Sequence, residues 1–276
     1  GYLLVSTGEV HFNNGTSMSV TVEGDITIGP SGTLDVTSGD NNLYVKGNLE
    51  NEGTITFTDQ TIPAGYTTNP GESVTLIFNN PQANQTFSCN GVTTLYRLIV
   101  DKGGDDTYML DVSASNTTNF RLYGRNNSDY NFPTEPPDLD NQKALEVYAG
   151  TLRLGSNINI PRLLTTPGTT SQYSYVIDQD AAIILDGSTV SVTEQTDRSN
   201  IIVYGKLKIM GSSTFSSNGT QGIILREYGI VEIEGTASAP TINTTAFRTS
   251  SRTVDGAHRG TLIMSGGIMN ISGNNY

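Results

Sequence analysis

A short phrase that recurs along the chain constrains the fold more than any other feature of the sequence. In each copy a glycine precedes two apolar residues at alternate positions. Glycine tolerates the positive φ of a sharp corner, and side chains two residues apart lie on the same face of a strand. Each copy therefore predicts a corner followed by a short strand. The copies are Gly24–Ile28, Gly32–Val36, Gly53–Phe57, Gly150–Leu154, Gly205–Ile209 and Gly260–Met264.

The spacing of related phrases predicts how these strands are arranged. Gly24 and Gly47 lie 23 residues apart, and Gly205 and Gly229 lie 24 residues apart. A period of this length is typical of repeat architectures, whereas the spacing of an amphipathic helix is hard to find in the chain. We therefore predict an all-β fold, and within that class a right-handed parallel β-helix (β-solenoid) with three short faces per turn.

Asn-Gly and Asp-Gly pairs leave a second architecture open. Such pairs favour the tight turns of antiparallel hairpins. A β-sandwich is therefore the alternative fold. The pairs are Asn14-Gly15, Asn90-Gly91, Asp186-Gly187, Asn218-Gly219 and Asp255-Gly256.

A proline-rich segment predicts the one internal boundary. Pro133, Pro136 and Pro137 cannot continue a central strand, because proline lacks the N–H that a β-ladder needs. We predict β-solenoid coils over residues 1–125, an insertion loop over 126–143, and further coils over 144–276. The last residues resemble the start of another coil without a cap, so we expect the natural chain to continue beyond Tyr276.

Charge and composition exclude several classes of partner. The 15 Lys and Arg residues and 27 Asp and Glu residues give a net charge of −12, which argues against binding to nucleic acid or to an anionic membrane surface. No apolar run reaches the ~18 residues of a membrane-spanning helix, so we expect no direct membrane insertion. Charged residues are only 15% of the chain, and Ser, Thr and Asn are expected to cover the outer faces.

Cysteine and histidine are too few for several kinds of site. Cys89 is the only cysteine, which excludes disulfides within the chain and zinc sites built on cysteine pairs, and we expect it to be buried. A nucleophile triad needs a histidine, and the chain has only His11 and His258. Because Val10 and Phe12 are expected to point inward, His11 should face solvent.

Pairs of carboxylates are the other kind of catalytic site that the sequence could supply. Glycosidases use two carboxylates roughly 5–10 Å apart, and polysaccharide lyases combine Ca²⁺ carboxylate clusters with a basic residue. None of the acidic pairs here is accompanied by further catalytic motifs, so we predict no enzyme, with a polysaccharide lyase or glycosidase as the alternative. The pairs are Asp105/Asp106, Asp138/Asp140, Asp178/Asp180 and Glu232/Glu234.

The insertion carries the candidate binding residues. The candidate Ca²⁺ ligands are Asp129, Glu135, Asp138 and Asp140, which offer the oxygen atoms that this cation prefers. No other cofactor is expected. The candidate ligand-binding residues are Tyr130 and Phe132, whose rings can stack on a sugar.

Two later phrases predict a ladder of charges. Lys206 and Lys208 alternate with apolar residues in one phrase, and Glu232 and Glu234 do so in another. If the two phrases form neighbouring strands about 4.8 Å apart, lysines lie beside glutamates on an exposed face. We expect this ladder to be structural rather than catalytic.

Four stretches carry a resemblance to a known type of protein: Thr75–Asn79, Gln85–Phe87, Thr93–Asp101 and Ala144–Leu154. Over roughly residues 15–160 the chain resembles the long, repetitive surface proteins of Bacteroidetes. The resemblance implies an extracellular or outer-surface location, an adhesin-like role and export through the type IX pathway. Surface glycans and other cell-surface proteins are the partners that it implies.

The leading functional hypothesis is a structural or adhesive β-solenoid segment of a larger bacterial surface protein. The alternative is a carbohydrate-active enzyme or a glycan-binding β-helix. A cleft that holds two close carboxylates and an Arg or Lys would favour the enzyme, and a smooth polar surface would favour the structural segment.

Overall fold

The computed structural model describes residues 1–13, 15–59, 72–123, 144–161, 163, 174–192, 200–235, 238–249 and 260–273. Within these ranges the chain forms 26 β-strands and no helix, so the prediction of an all-β fold is confirmed. It follows that none of the described residues belongs to a helix that is long and apolar enough to cross a membrane.

The first twelve strands come from the part of the chain before the predicted insertion. They are β1 (Leu3–Phe12), β2 (Ser19–Val22), β3 (Ile26–Val36), β4 (Gly39–Val45), β5 (Leu49–Asn51), β6 (Thr54–Thr56), β7 (Glu72–Phe78), β8 (Gln85–Cys89), β9 (Val92–Leu95), β10 (Arg97–Asp101), β11 (Met109–Ala114) and β12 (Phe120–Leu122).

The remaining fourteen strands come from the part of the chain after the predicted insertion, and most of them are short. They are β13 (Leu145–Leu154), β14 (Asn159–Ile160), β15 (Ser174–Ile177), β16 (Ala181–Asp186), β17 (Thr189–Val192), β18 (Asn200–Val203), β19 (Lys206–Met210), β20 (Thr214–Ser217), β21 (Ile223–Leu225), β22 (Ile230–Glu234), β23 (Thr241–Thr244), β24 (Phe247–Thr249), β25 (Thr261–Met264) and β26 (Ile268–Ile271).

The sheet topology corrects the finer fold prediction. Seventeen strands form one large parallel sheet, and two further parallel sheets have five and four strands. The predicted right-handed parallel β-helix with three separate faces per turn is therefore wrong. The β-sandwich alternative is also wrong, because the ladders between described strands are parallel and the one antiparallel contact among them is an isolated bridge between Thr58 and Ser73.

Two long strands give the physical reason for the correction. Strand β3 runs unbroken through Gly32, where a corner was expected, and pairs with β5 at one end and with β6 at the other. Strand β13 likewise pairs with β10 before Gly150 and with β11 and β16 after it. Each of these long strands pairs with different strands at its two ends. Strands that were predicted to lie on separate faces are therefore joined into one sheet.

The two smaller sheets lie in the second half of the chain. The five-stranded sheet contains β14, β17, β20, β23 and β26, and the four-stranded sheet contains β15, β18, β21 and β24. From β15 onward, consecutive strands enter the four-stranded, 17-stranded and five-stranded sheets in that order. Equivalent positions in neighbouring strands are consequently separated by only about one strand spacing, ~4.8 Å.

The core is built from the alternating apolar residues. Ile26, Ile28 and their counterparts in later strands are fully buried, and the rings of Phe78, Phe87 and Phe120 follow one another with centroids 5.7 and 6.5 Å apart. Burial of this apolar surface is the dominant favourable contribution to folding. The prediction for Cys89 is confirmed, because its side chain is buried and forms no disulfide.

The predicted insertion, residues 126–143, lies outside the described residues. The boundaries at 125 and 144 therefore stay predictions.

Candidate functional site

The main cluster of ionisable side chains lies on the outer surface of five neighbouring strands of the 17-stranded sheet. These strands are β11, β13, β16, β19 and β22. Their alternate residues, such as Leu207 and Ile209, are buried, which turns the charged side chains outward. We call this surface the charged face, and it consists of Asp111, Arg153, Asp186, Lys206, Lys208, Glu232 and Glu234.

The lysines and glutamates of the charged face pair across β19 and β22, as the sequence predicted. The Lys206 Nζ atom lies 2.7 Å from Glu232 Oε2, and Lys208 Nζ lies 3.0 Å from Glu232 Oε1. Lys208 also pairs with Glu234. The hydrogen bond from Lys206 is the main cause that lowers the pKa of Glu232, and the hydrogen bond to Glu234 raises the pKa of Lys208. The predicted ladder is confirmed.

Arg153 joins two further carboxylates on the same face. Its Nη1 atom donates to Asp111 Oδ2 at 2.6 Å, and its Nη2 atom donates to Asp186 Oδ2 at 2.6 Å. The Asp186 hydrogen bond is the largest of the causes that raise the pKa of Arg153. One guanidinium on β13 therefore connects the strands on both sides of it, and charge-assisted hydrogen bonds of this kind are stronger than neutral ones.

These ion pairs determine what the charged face can do chemically. Acid–base catalysis by two carboxylates needs one of them to be protonated near neutral pH, usually through a raised pKa. Here two carboxylates and an arginine do lie together, but both carboxylates bind the same guanidinium and are only partly buried. An adjacent cation stabilises the ionised form of a carboxyl group. The arrangement suits cohesion between strands better than proton transfer.

A buried ion pair, which no sequence pattern predicted, lies on another part of the 17-stranded sheet. Arg97 on β10 pairs with Glu146 on β13, and both side chains are buried. The Tyr148 hydroxyl donates to Glu146 Oε2 at 3.0 Å. The sequence contains only a weak indication of this pair, because Arg97 and Glu146 are each simply a charged residue beside the apolar residues of its own strand. Removing one partner of such a pair is strongly destabilising, because the other charge stays buried.

A buried lysine was also missed. The side chain of Lys102 is buried, and its Nζ atom donates to Gln85 Oε1 at 2.6 Å. The Gln85 amide in turn donates to the backbone carbonyls of Val45 and Gly47. Burial lowers the pKa of Lys102 to about 8. The partner of this amine is thus a neutral amide rather than a carboxylate.

His11 faces solvent, as expected from its place in the first strand. Its Nδ1 atom contacts Asp35, and Nε2 lies 3.3 Å from Glu9 Oε2. The hydrogen bond to Asp35 is the main cause that raises the pKa of His11. Phe12 is buried as predicted, and Val10 lines the same cavity as Phe12 and Leu34 although it is still 40% exposed. His258 lies outside the described residues.

The acidic pair Asp105/Asp106 lies in the bend between β10 and β11. Asp105 Oδ1 accepts a hydrogen bond from the Thr107 backbone N–H at 2.9 Å. Hydrogen bonds from Thr107 lower the pKa of Asp105. This is the usual role of aspartate in turns, where the carboxylate accepts from the backbone two residues on.

The six candidate binding residues of the insertion lie outside the described residues. They are Asp129, Tyr130, Phe132, Glu135, Asp138 and Asp140, and the Ca²⁺ and sugar sites built on them stay predictions. In the part of the chain that the structure does describe, no three His, Cys, Asp or Glu side chains are grouped so that they could hold a metal ion.

No protein-family model matches the chain, and no curated protein and no solved structure is similar to it.

Proposed function

We propose that this chain is a non-catalytic structural and adhesive segment of an extracellular bacterial surface protein. The observation that carries the proposal is the pairing on the charged face. Asp111, Asp186 and Glu232 each bind a cation from a neighbouring strand. Ionised carboxylates held in this way link strands together and are poorly suited to act as general acids.

The strand arrangement supports a role in mechanical cohesion. Each ladder joins segments that are distant in the sequence, as in the pairing of Lys208 with Glu232 or of Asp111 with Arg153. Pulling such segments apart breaks backbone hydrogen bonds, ion pairs and apolar contacts together. The extracellular location is supported by the sequence resemblance and by a polar surface rich in Ser, Thr and Asn. Surface glycans and other cell-surface proteins are the partners that fit this role.

A polysaccharide screen tests the non-catalytic part of the proposal. The full chain is incubated with neutral and acidic polysaccharides, and the supernatant is assayed for new reducing ends and for unsaturated sugars. We expect no release above that of heat-denatured protein. Release that is lost when a carboxylate is replaced would overturn the proposal in favour of a glycosidase or a lyase.

Immunolabelling tests the location. Antibody raised against the folded chain is applied to intact and to permeabilised cells that produce the natural protein. We expect equal labelling of both, with a cytoplasmic protein labelled only after permeabilisation as the control. Labelling of permeabilised cells alone would contradict an outer-surface location.

A further inference from the structure

Three successive turns lie side by side where the chain passes from the four-stranded sheet to the 17-stranded sheet. They are residues 178–180 between β15 and β16, residues 204–205 between β18 and β19, and residues 226–229 between β21 and β22. The strands on both sides are paired in parallel. We call the surface of these three turns the turn patch.

Backbone contacts fix the spacing of the turns. The Tyr204 N–H donates to Ile177 O at 2.9 Å, and the Arg226 N–H donates to Val203 O at 2.9 Å. A Cβ atom on Gly205 would lie well under 3.0 Å from the carbonyl oxygen of Asp178. Neighbouring turns therefore touch at the level of the backbone, which is possible only because this position is glycine.

Two tyrosines lie on neighbouring turns of the turn patch, each two residues before a strand of the 17-stranded sheet. Tyr204 directly precedes Gly205, and Tyr228 directly precedes Gly229, and the strands that follow these glycines pair with each other. Tyr204 is 39% exposed and Tyr228 is 53% exposed. Since the strands that follow are neighbours about 4.8 Å apart, the two tyrosines lie on adjacent turns at the same edge of the molecule.

Tyr228 also has an unusual backbone. Its φ is 63°, in the left-handed region that bulky residues rarely adopt. The surrounding turn holds it there, since the Gly229 N–H donates to Arg226 O at 3.1 Å. Residues kept in strained conformations are concentrated at functional sites, and here the strained residue presents an aromatic ring to solvent.

The polar groups beside the rings indicate the chemistry of a ligand. Asp178, Gln179 and Asp180 are exposed in the adjoining turn, where their oxygen and nitrogen atoms can bond to hydroxyl groups. Glu227 and Arg226 complete the turn patch. Three carboxylates against one guanidinium, in a chain of net charge −12, disfavour an anionic ligand.

We propose that the turn patch binds a neutral polysaccharide, with the rings of Tyr204 and Tyr228 packed on the apolar faces of successive sugar units and the flanking carboxylates and amide bonded to sugar hydroxyls. This inference rests on the proposed adhesive function and names its ligand class. Tyrosine is suited to the role because its ring offers a large apolar area and its hydroxyl stays in contact with water.

Affinity electrophoresis of the full chain tests this proposal. Native gels are cast with a neutral β-glucan, xyloglucan or galactomannan, or with polygalacturonate as the anionic comparison. We expect at least one neutral polymer to retard the wild-type chain and polygalacturonate not to do so. The Y204A/Y228A variant should bind that polymer about tenfold more weakly, since each aromatic contact contributes a factor of about 2–10. The Y204F/Y228F variant should bind nearly as the wild type does.

Controls separate binding from folding and from the proposed function. Tyr2→Ala removes an exposed tyrosine far from the turn patch in the sequence and should leave retardation unchanged. Thermal unfolding of every variant shows whether it is folded. Absence of retardation by all neutral polymers, or equal retardation of the wild type and a folded Y204A/Y228A, would overturn this inference alone. Release of sugar products from the same polymers would instead overturn the non-catalytic function.

Discussion

Lys208 on β19 lies opposite Glu232 on β22, with its ammonium nitrogen 3.0 Å from Glu232 Oε1. Lys206 reaches the other oxygen of the same carboxylate at 2.7 Å. One glutamate therefore bridges two lysines whose side chains would otherwise repel each other, as like charges on one face of a sheet do. Like Arg153 and Lys208, Glu232 holds two ion pairs on the charged face.

Replacement of Glu232 by Gln is expected to lower the free energy of unfolding by about 1 kcal/mol at neutral pH and low salt, since each cross-strand ion pair contributes about 0.2–1 kcal/mol. The side chain is 17% exposed, so screening by salt should weaken the effect only in part. Urea denaturation of both proteins at low and high salt measures the difference.

The difference in stability between the wild type and Glu232→Gln should depend on pH in a predictable direction. The pKa of Glu232 is lowered in the folded chain, so its contribution is present above the unfolded value of about 4.3 and is lost as the pH falls through the folded value. The wild type and Glu232→Gln should therefore converge in acid. Glu234→Gln, which removes the pairing with Lys208 only, should lose less stability. A difference that does not shrink as the pH falls below the unfolded value of about 4.3 would contradict the ion-pair explanation.

Alternation within strands was predictable from the sequence, whereas the way strands join into sheets was not. The inward positions of Leu207 and Ile209 follow from a period of two residues, and the ladder of Lys206 and Glu232 follows from pairing their two phrases. The joining of ladders by β3 and β13 was missed, because a glycine that permits a corner does not require one. Gly150 has a φ of 96° and still lies within the continuous strand β13.

The Asn90-Gly91 pair was misleading for a related reason. A type I′ hairpin turn needs a positive φ at both central residues, and Gly91 does not adopt one. Its N–H instead donates to Asn51 O at 2.7 Å in a neighbouring segment. Glycine is needed here for close backbone approach, which no pattern within one segment can reveal.

The buried partners of Arg97 and Lys102 were unpredictable for the same reason, because they are distant in the sequence.

Replacement of Gly91 by Ala is expected to destabilise the chain by about 2–4 kcal/mol, as overpacking against fixed atoms does. The new Cβ would lie well under 3.0 Å from backbone atoms of Gly53 and Glu52, and backbone atoms cannot rotate away. Gly104→Ala is the matched control, since a Cβ there meets nothing within 4 Å, and its effect should stay within about 0.5 kcal/mol. Equal urea midpoints for the two variants would contradict the close-approach argument.

Replacement of Asp35 by Asn is expected to lower the pKa of His11. The Asp35 carboxylate is the main cause of the raised pKa of this histidine, and Glu9 contributes less. An NMR titration of the imidazole protons measures the change, with His11→Gln used to assign the resonance. Glu9→Gln should give a smaller decrease. An unchanged His11 titration in Asp35→Asn would show that the contact between the two side chains is absent in solution.

Replacement of Lys102 by Met is expected to change how stability depends on pH. Burial lowers the pKa of Lys102 to about 8, below its unfolded value of about 10.4. Between these values the unfolded chain binds more protons than the folded chain, so the stability contributed at this site rises with pH. The wild type should therefore gain about 1–3 kcal/mol relative to Lys102→Met between about pH 8 and pH 10. Urea denaturation across this range measures the gain.

Lys208→Met is the control, because the pKa of Lys208 is shifted in the opposite direction to that of Lys102. The pKa of Lys208 is raised by its pairing with Glu234 and Glu232, so its contribution is fully present below the unfolded value and is lost only at higher pH. The difference between the wild type and Lys208→Met should thus stay nearly constant from about pH 8 to pH 10, while the difference for Lys102→Met grows. If the two differences run in parallel, Lys102 is solvated and charged in the folded chain, and the site at Gln85 is open to water.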